Sequence, residues 1–359
     1  INYRKSNGDN TDNVFQDYYD ANFVYDYTRN RINKEKSDSE NLEFASNFIK
    51  NFKKEGHKLS FDISISSNDD KNTAFITDTN TSNSNLGLDN TINNQDQKRN
   101  LFVVDYVLPL GKGQQFEGYR GDFTNLTTDY RVETGGVVNP NFTNTLEYKE
   151  KINAIYTQYG IKVNKLSMLF GLRFEDSNID INQLVTSDFN TKKYNNFFPS
   201  AFFTYELSDL SSTSISYSRR IQRPRGRMLN PFSNLSSNIN IFVGNPDLDP
   251  SFTDAIDWGY IKRWEKITLN TSLYVNKTTD VFQFARRESG DFVNGVPLII
   301  SSPINIGEEY RTGFEFTLNY SPYKWWKLNS NFNFFAVQTR GDFTYTDFNG
   351  NKVVQNFDN

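Results

Sequence analysis

The chain has 359 residues, a formal net charge of −4 and no cysteine. This charge gives no reason to expect nucleic acid as a partner, and the missing thiols exclude disulfides and thiolate metal sites. Aromatic residues make up 16% of the chain while the mean hydropathy is −0.67; a wide membrane β-barrel reconciles the two, with apolar residues facing lipid at every second position and polar ones facing a wet lumen.

In chain order, residues 1–4 read as a strand fragment, and Tyr19, Ala21, Phe23, Tyr25 and Tyr27 form an alternating row. Leu59, Phe61, Ile63 and Ile65 form a second, interleaved with Ser60, Asp62 and Ser64. From Ile267 a third row takes Leu269, Thr271, Leu273 and Val275, and Phe314, Phe316, Leu318 and Tyr320 make a fourth. Period-two alternation over about 10 residues is what a tilted strand needs to cross a bilayer. No apolar run approaches the roughly 20 residues of a membrane helix.

Tight links are read at KKEGH (53–57), PLGKG (109–113), KVNK (162–165), ELSDLSS (206–212), RWEK (263–266) and SPYKWW (321–326). Long polar stretches fall between them, at 30–40, 68–98, 127–141, 176–194, 221–250 and 279–308. Such alternation of link length predicts an outer-membrane barrel with short periplasmic turns and long outer loops; a soluble sandwich has no reason to segregate loop length by side. The Asn/Asp/Ser/Thr-rich stretch 68–97 has too little apolar surface to fold alone and is expected to be mobile. About thirteen strands plus the opening fragment cannot close an even-numbered barrel, and an open edge in lipid is costly. The expectation is therefore a portion of a larger all-β, antiparallel transmembrane barrel spanning 1–359, with its last strands missing.

The run FPSAFFTYELSDLSSTSISYSRRIQRPRGRMLNPF (198–232), followed by VGNPDLDPSFTDAIDWGY (243–260), resembles the outer-membrane β-barrel family of TonB-dependent receptors, in the branch common in Bacteroidetes. The resemblance rests on FPS (198–200), SISYSRRI (214–221), RP (223–224), LNPF (229–232) and GNPDLDP (244–250), with YKEKINAIYTQYG (148–160) and LFGLRFE (169–175) upstream. It covers about 148–263 and departs at Ser251, where the family more often has Glu. It implies a barrel of roughly 22 strands with a plugged lumen, and a plug and TonB-contacting segment that are not in this chain. It also implies energised import of a bulky nutrient such as an iron chelate, oligosaccharide, cobalamin or peptide, with the TonB complex as inner partner. A surface lipoprotein is the candidate outer partner, and the bacterial outer membrane the location. A non-importing structural or secretion-associated barrel and a soluble all-β adhesin or lectin are the alternatives.

Five arginines stand in the nine residues 219–227. Strand parity from Ser211 gives Thr213, Ile215 and Tyr217 to lipid and Ser212, Ser214, Ser216 and Ser218 to the lumen. It continues with Arg219 outward and Arg220 inward. A lipid-facing arginine costs about 2–4 kcal/mol at mid-bilayer but about 0–1 near the interface. Arg219 is thus expected to meet outer-leaflet lipid phosphates, with Arg220 and Arg223 towards the plug or a substrate vestibule. The alternative is a solvated rim paired with loop carboxylates. Asp247 and Asp249 lack the rest of a calcium ligand set, and turn chemistry accounts for them; neither metal nor cofactor is expected. The only histidine, His57, falls in a periplasmic turn and is expected to be solvated there, so no Ser/His/Asp site can be assembled and enzymatic activity is not expected. Trp325–Trp326 and Phe197–Phe198 are assigned to an aromatic girdle at the membrane interface.

Overall fold

Alternating sequences place apolar side chains on one face of a strand and polar ones on the other, and neighbouring strands must keep those faces in register. A computed structural model of the chain, describing residues 1–20, 22–81, 85–231, 240–293 and 296–359, has that arrangement. In chain order its elements begin β1 (Asn2–Tyr19), β2 (Tyr25–Asn51), β3 (Lys58–Asn80), β4 (Asn85–Leu110), β5 (Gly113–Thr134), β6 (Val137–Val138) and β7 (Asn144–Val163). There follow β8 (Leu166–Gln183), β9 (Asp188–Ser208), β10 (Ser211–Gln222), the one-turn helix α1 (Gly226–Leu229), β11 (Asn240–Phe242) and β12 (Ser251–Arg263). The chain continues through β13 (Ile267–Val293), β14 (Val296–Tyr323) and β15 (Trp326–Arg340), and closes with a separate hairpin of β16 (Asp342–Thr346) and β17 (Lys352–Asn356).

The long strands form one antiparallel meander, each paired with its sequence neighbour except where β6 and β11 are passed over. β6 adds to β5, and β11 runs parallel to the outer part of β14. Among the described residues β1 and β15 are each hydrogen-bonded to another strand on one side only. The expected fragment at 1–4 is the start of the full strand β1. The expected row from Tyr19 to Tyr27 is interrupted: Asp20 turns the chain, its carboxylate accepting from the N–H groups of Asn22 (2.9 Å) and Val24 (2.8 Å). Ala21 itself lies outside the described residues.

Short links fall where expected. Gly56 (φ 75°) and Asn164 (φ 53°) supply the left-handed conformations that two of these turns require. His57 is only partly exposed in its turn: its ring stacks on Phe52 at 4.0 Å between centroids, and Nε2 is 2.8 Å from the Tyr106 hydroxyl. The long polar stretches differ more from expectation. Residues 68–80 and 85–97 are continuous strand, paired rung by rung from Asn68↔Gln97 to Asp78↔Gly87. Backbone ladders do not need apolar side chains once the apolar halves of the same strands fix the register. The hairpins therefore rise well beyond the bilayer.

The outward face is read from large apolar side chains that the fold leaves exposed: Ile215, Ile256, Trp258, Leu273, Phe314 and Phe332 each keep 39% or more of their surface. Cross-strand register aligns Ile215 with Trp258 and Leu273 with Phe314 on this face. A water-facing sheet would not carry such a patch; a lipid-facing one must. Trp325 is 82% exposed and stacks with Tyr323 beside the last short turn. Phe197 and Phe198 divide between the faces, Phe197 outward and 60% exposed, Phe198 inward and 8% exposed, so the pair does not act as one girdle element.

Candidate functional site

On β10 the inward residues are Ser212, Ser214, Ser216, Ser218 and Arg220, in register with Ile261, Gly259, Asp257, Ala255 and Thr253 of β12. Arg219 points outward. Its guanidinium meets Asp254 across the register (3.3 Å) and lies over the Phe252 ring, while the Tyr217 hydroxyl donates to the same carboxylate at 2.7 Å. The belt continues at Lys277–Glu308 (2.6 Å), with Lys277 in register with Asp254. These pairs mark the height at which the outward face changes from apolar to charged.

β10 ends at Gln222. Pro224, which has no N–H to donate and constrains the residue before it, ends the ladder there. The chain then turns inward. Arg223 Nη2 donates to Glu175 Oε2 (2.5 Å) and Ser177 Oγ (2.8 Å), and Arg173 Nε reaches the other Glu175 oxygen at 2.5 Å. Glu175 is 6% exposed, so this is a buried, doubly paired carboxylate on the luminal wall. Arg220, three residues earlier, is exposed and has no side-chain partner among the described residues.

Beyond Arg223 the segment folds over the inner face. Leu229 and Leu248, 1% and 0% exposed, cover Leu146, Tyr148, Ile179 and Ile181 of β7 and β8. Burial pushes the Tyr148 hydroxyl far above its ordinary value and that of Tyr194 up to about 12. Burial likewise raises the Glu150 carboxyl.

The LNP and GNP motifs are joined here. Gly244 donates to Asn230 O (2.9 Å) and Asn245 to Met228 O (2.7 Å). A Cβ on Gly244 would lie 2.3 Å from Asn230 O, so only glycine permits this approach. Asp247 closes an Asx turn, its N–H donating to Asn245 Oδ1 (2.9 Å). Asp249 faces Lys192 (3.2 Å), which also donates to Leu248 O. Phe232 lies outside the described residues.

Two further arginines complete the group. Arg225 is exposed, and the Arg227 guanidinium lies over Phe242 at 5.0 Å. Between α1, β11 and the inner faces of β2–β5 and β7 lies a cavity of ≈ 360 Å³, reached by Asn33, Asn72 and Asn93 from the outer strand extensions. Sequence reasoning missed these asparagines because it treated their stretches as loops. For Asn72, parity continued upward from Leu59, Phe61, Ile63 and Ile65 gives the inner face; the row ending at Tyr27 gives Asn33 the opposite face, and no row is read on the strand of Asn93.

No curated protein matches the sequence. Solved structures do. The copper transporter OprC is 11% identical with a TM-score of 0.61, and the match covers 93% of this chain and 53% of that one. The ferric citrate transporter FecA is 11% identical at 0.56, covering 93% and 52%, and the siderophore receptor PirA from Pseudomonas aeruginosa is 15% identical at 0.54, covering 95% and 64%. The chain thus spans about half the length of the first two, and at these identities the likeness is one of fold. An exposed apolar outer face, a polar inner wall and long outward hairpins are properties of a barrel in the bacterial outer membrane. The model of the outer membrane protein beta-barrel family matches residues 50–359, and the chain belongs to that family.

Proposed function

We propose that this chain is part of the barrel of a TonB-dependent outer-membrane transporter of the Bacteroidetes type, importing a bulky nutrient with energy from the inner membrane. The observation that carries the reading is the inward fold of 223–231 and 240–250, which builds a chamber against a polar luminal wall instead of leaving an open rim. The solved structures of similar fold include transporters of copper and ferric citrate and a siderophore receptor, which supports passage over a purely structural role.

In this reading further strands close the sheet between β1 and β15 into a barrel of roughly 22 strands, because a bare edge in lipid costs several kcal/mol per unpaired group as an order of magnitude. A plug and a TonB-contacting segment belong to the longer protein, and a surface lipoprotein is the candidate outer partner. No bond chemistry takes place at the barrel; its work is binding and passage. Arg220, exposed on the inner face, contacts the plug or the passing substrate. Arg223, held by Glu175, fixes the loop that roofs the chamber. Arg219 offers lipid phosphate the donors that Asp254 leaves free.

The test is ligand accumulation by cells displaying equal amounts of the full-length protein, with and without TonB. Accumulation that requires TonB, and that falls at least tenfold in Arg220→Glu, is the expected result. Accumulation independent of TonB would leave a non-importing barrel as the better reading.

A further inference from the structure

Several luminal polar groups are committed to one another: Arg223 to Glu175, Arg99 and Arg120 to Asp122, and Tyr156 to Asp105. The ≈ 360 Å³ cavity beneath α1 is different. On its floor Asn33, Glu35, Asn72, Asn93 and Gln95 make no side-chain hydrogen bond or ion pair among the described residues. Asn33 and Asn93 each keep a buried side-chain oxygen with no partner. Asn72 stands directly across from Asn93, and Asn93 directly across from Tyr130, so two carboxamides and a phenol form one row. The neighbouring rung pairs the small residues Ala74 and Thr91, which hollows the floor. The opposite wall carries Phe242 with Arg227 laid over it.

The charges lining this cavity are one carboxylate, Glu35, and one guanidinium, Arg227, and they cancel. An anionic chelate would find no net positive field there. Carboxamides both donate and accept, which is the pattern that hydroxyl groups present. The Tyr130 ring, and the face of Phe242 that Arg227 leaves uncovered, offer apolar area to the C–H faces of a sugar ring. A peptide could not add here as a further strand, because the floor's backbone is already consumed in the sheet. The volume equals roughly 12 waters, room for a disaccharide unit of a longer chain.

We propose that this cavity binds an uncharged, polyhydroxylated ligand, a neutral oligosaccharide, through Asn33, Asn72, Asn93 and Gln95 with stacking on Tyr130 and Phe242. The inference rests on the transporter reading and narrows its substrate.

Calorimetric titration of the full-length receptor in detergent tests it, with neutral hexasaccharides of glucose, mannose and xylose, ferric citrate, and an end-capped neutral hexapeptide as probes. At least one hexasaccharide binds, with an affinity insensitive to salt, and the double variant Asn72→Ala/Asn93→Ala binds it about tenfold more weakly. Asn93→Gln, which keeps the chemistry but displaces it, gives the same loss if the double variant fails to reach the surface. Binding of none of the sugars, preference for ferric citrate or the peptide, or an unchanged affinity in the variants overturns the assignment. Binding in detergent needs no energy coupling. Sugar binding without TonB-dependent uptake therefore counts against import alone, and TonB-dependent uptake of a different ligand counts against this inference alone.

Discussion

Arg220 and Arg223 lie three residues apart and differ in what they have left to offer. Arg223 spends its guanidinium on Glu175 and Ser177, both under 10% exposed, whereas Arg220 has no partner among the described residues. Removing Arg223 leaves Glu175 to Arg173 alone in a buried position. Arg223→Ala should therefore cost about 1.5–3 kcal/mol, the range for a hydrogen bond to a charged group, in urea unfolding of the lipid-reconstituted protein. Arg225→Ala, at an exposed side chain, should stay within about 0.5 kcal/mol. Equal effects would mean that Arg223 does not latch the loop. The Arg219–Asp254 pair is more than a third exposed at Arg219, and such pairs contribute about 0–1 kcal/mol. The sequence exposed the arginine cluster and its strand parity, but not the partner of Arg223. Glu175 stands 48 residues earlier, and only the fold brings β8 beside the end of β10.

Among the elements, strands with one apolar face were legible and strands without one were not. β13 and β14 announce themselves through Leu269, Leu273, Phe314 and Leu318, while the upper halves of β3 and β4 are mostly polar and carry no sustained apolar row. Alternation detects a boundary between two solvents, and above the bilayer both faces meet water. The same limit hid the asparagine row, since a site built on strand extensions has the composition of a disordered loop. The β16–β17 hairpin was missed for another reason: its alternating Phe343 and Tyr345 lie on a strand of only five residues. Its turn is closed by Asp347, whose carboxylate is held below its usual range by the Asn351 backbone N–H first and by its contacts with the Asn351 side chain and with Asn349. A depressed carboxylate stabilises the folded turn above its unfolded value of about 4, and that contribution is lost as pH falls through the lower folded value. Amide exchange, corrected for intrinsic rates, should thus show protection of 342–356 constant from neutral pH to about 5 and falling below about 4; Asp347→Asn should flatten this dependence. A wild-type profile already flat through that acid range would remove Asp347 from the account.

At the scale of the whole molecule, link lengths and aromatic content were enough to give an outer-membrane barrel sheet, because the bilayer dictates strand length and lateral segregation of turns. What the chamber binds was not legible, because it is assembled from β2–β5, β7, α1 and β11, which no single stretch of sequence displays together. The site rests on one division: from Thr213 to Arg219 the odd positions of β10 face outward to lipid and the even positions face the lumen. Ile215 and Ser216 are neighbours at one height on opposite faces, and the chain contributes no other thiol. Nitroxides attached at Ile215→Cys and Ser216→Cys in the full-length protein, within native outer membranes, report this division by their collision rates with oxygen and with a polar nickel chelate. The account predicts oxygen-dominated relaxation at 215 and nickel-dominated relaxation at 216. Nickel access at 215, or oxygen preference at both positions, would contradict it.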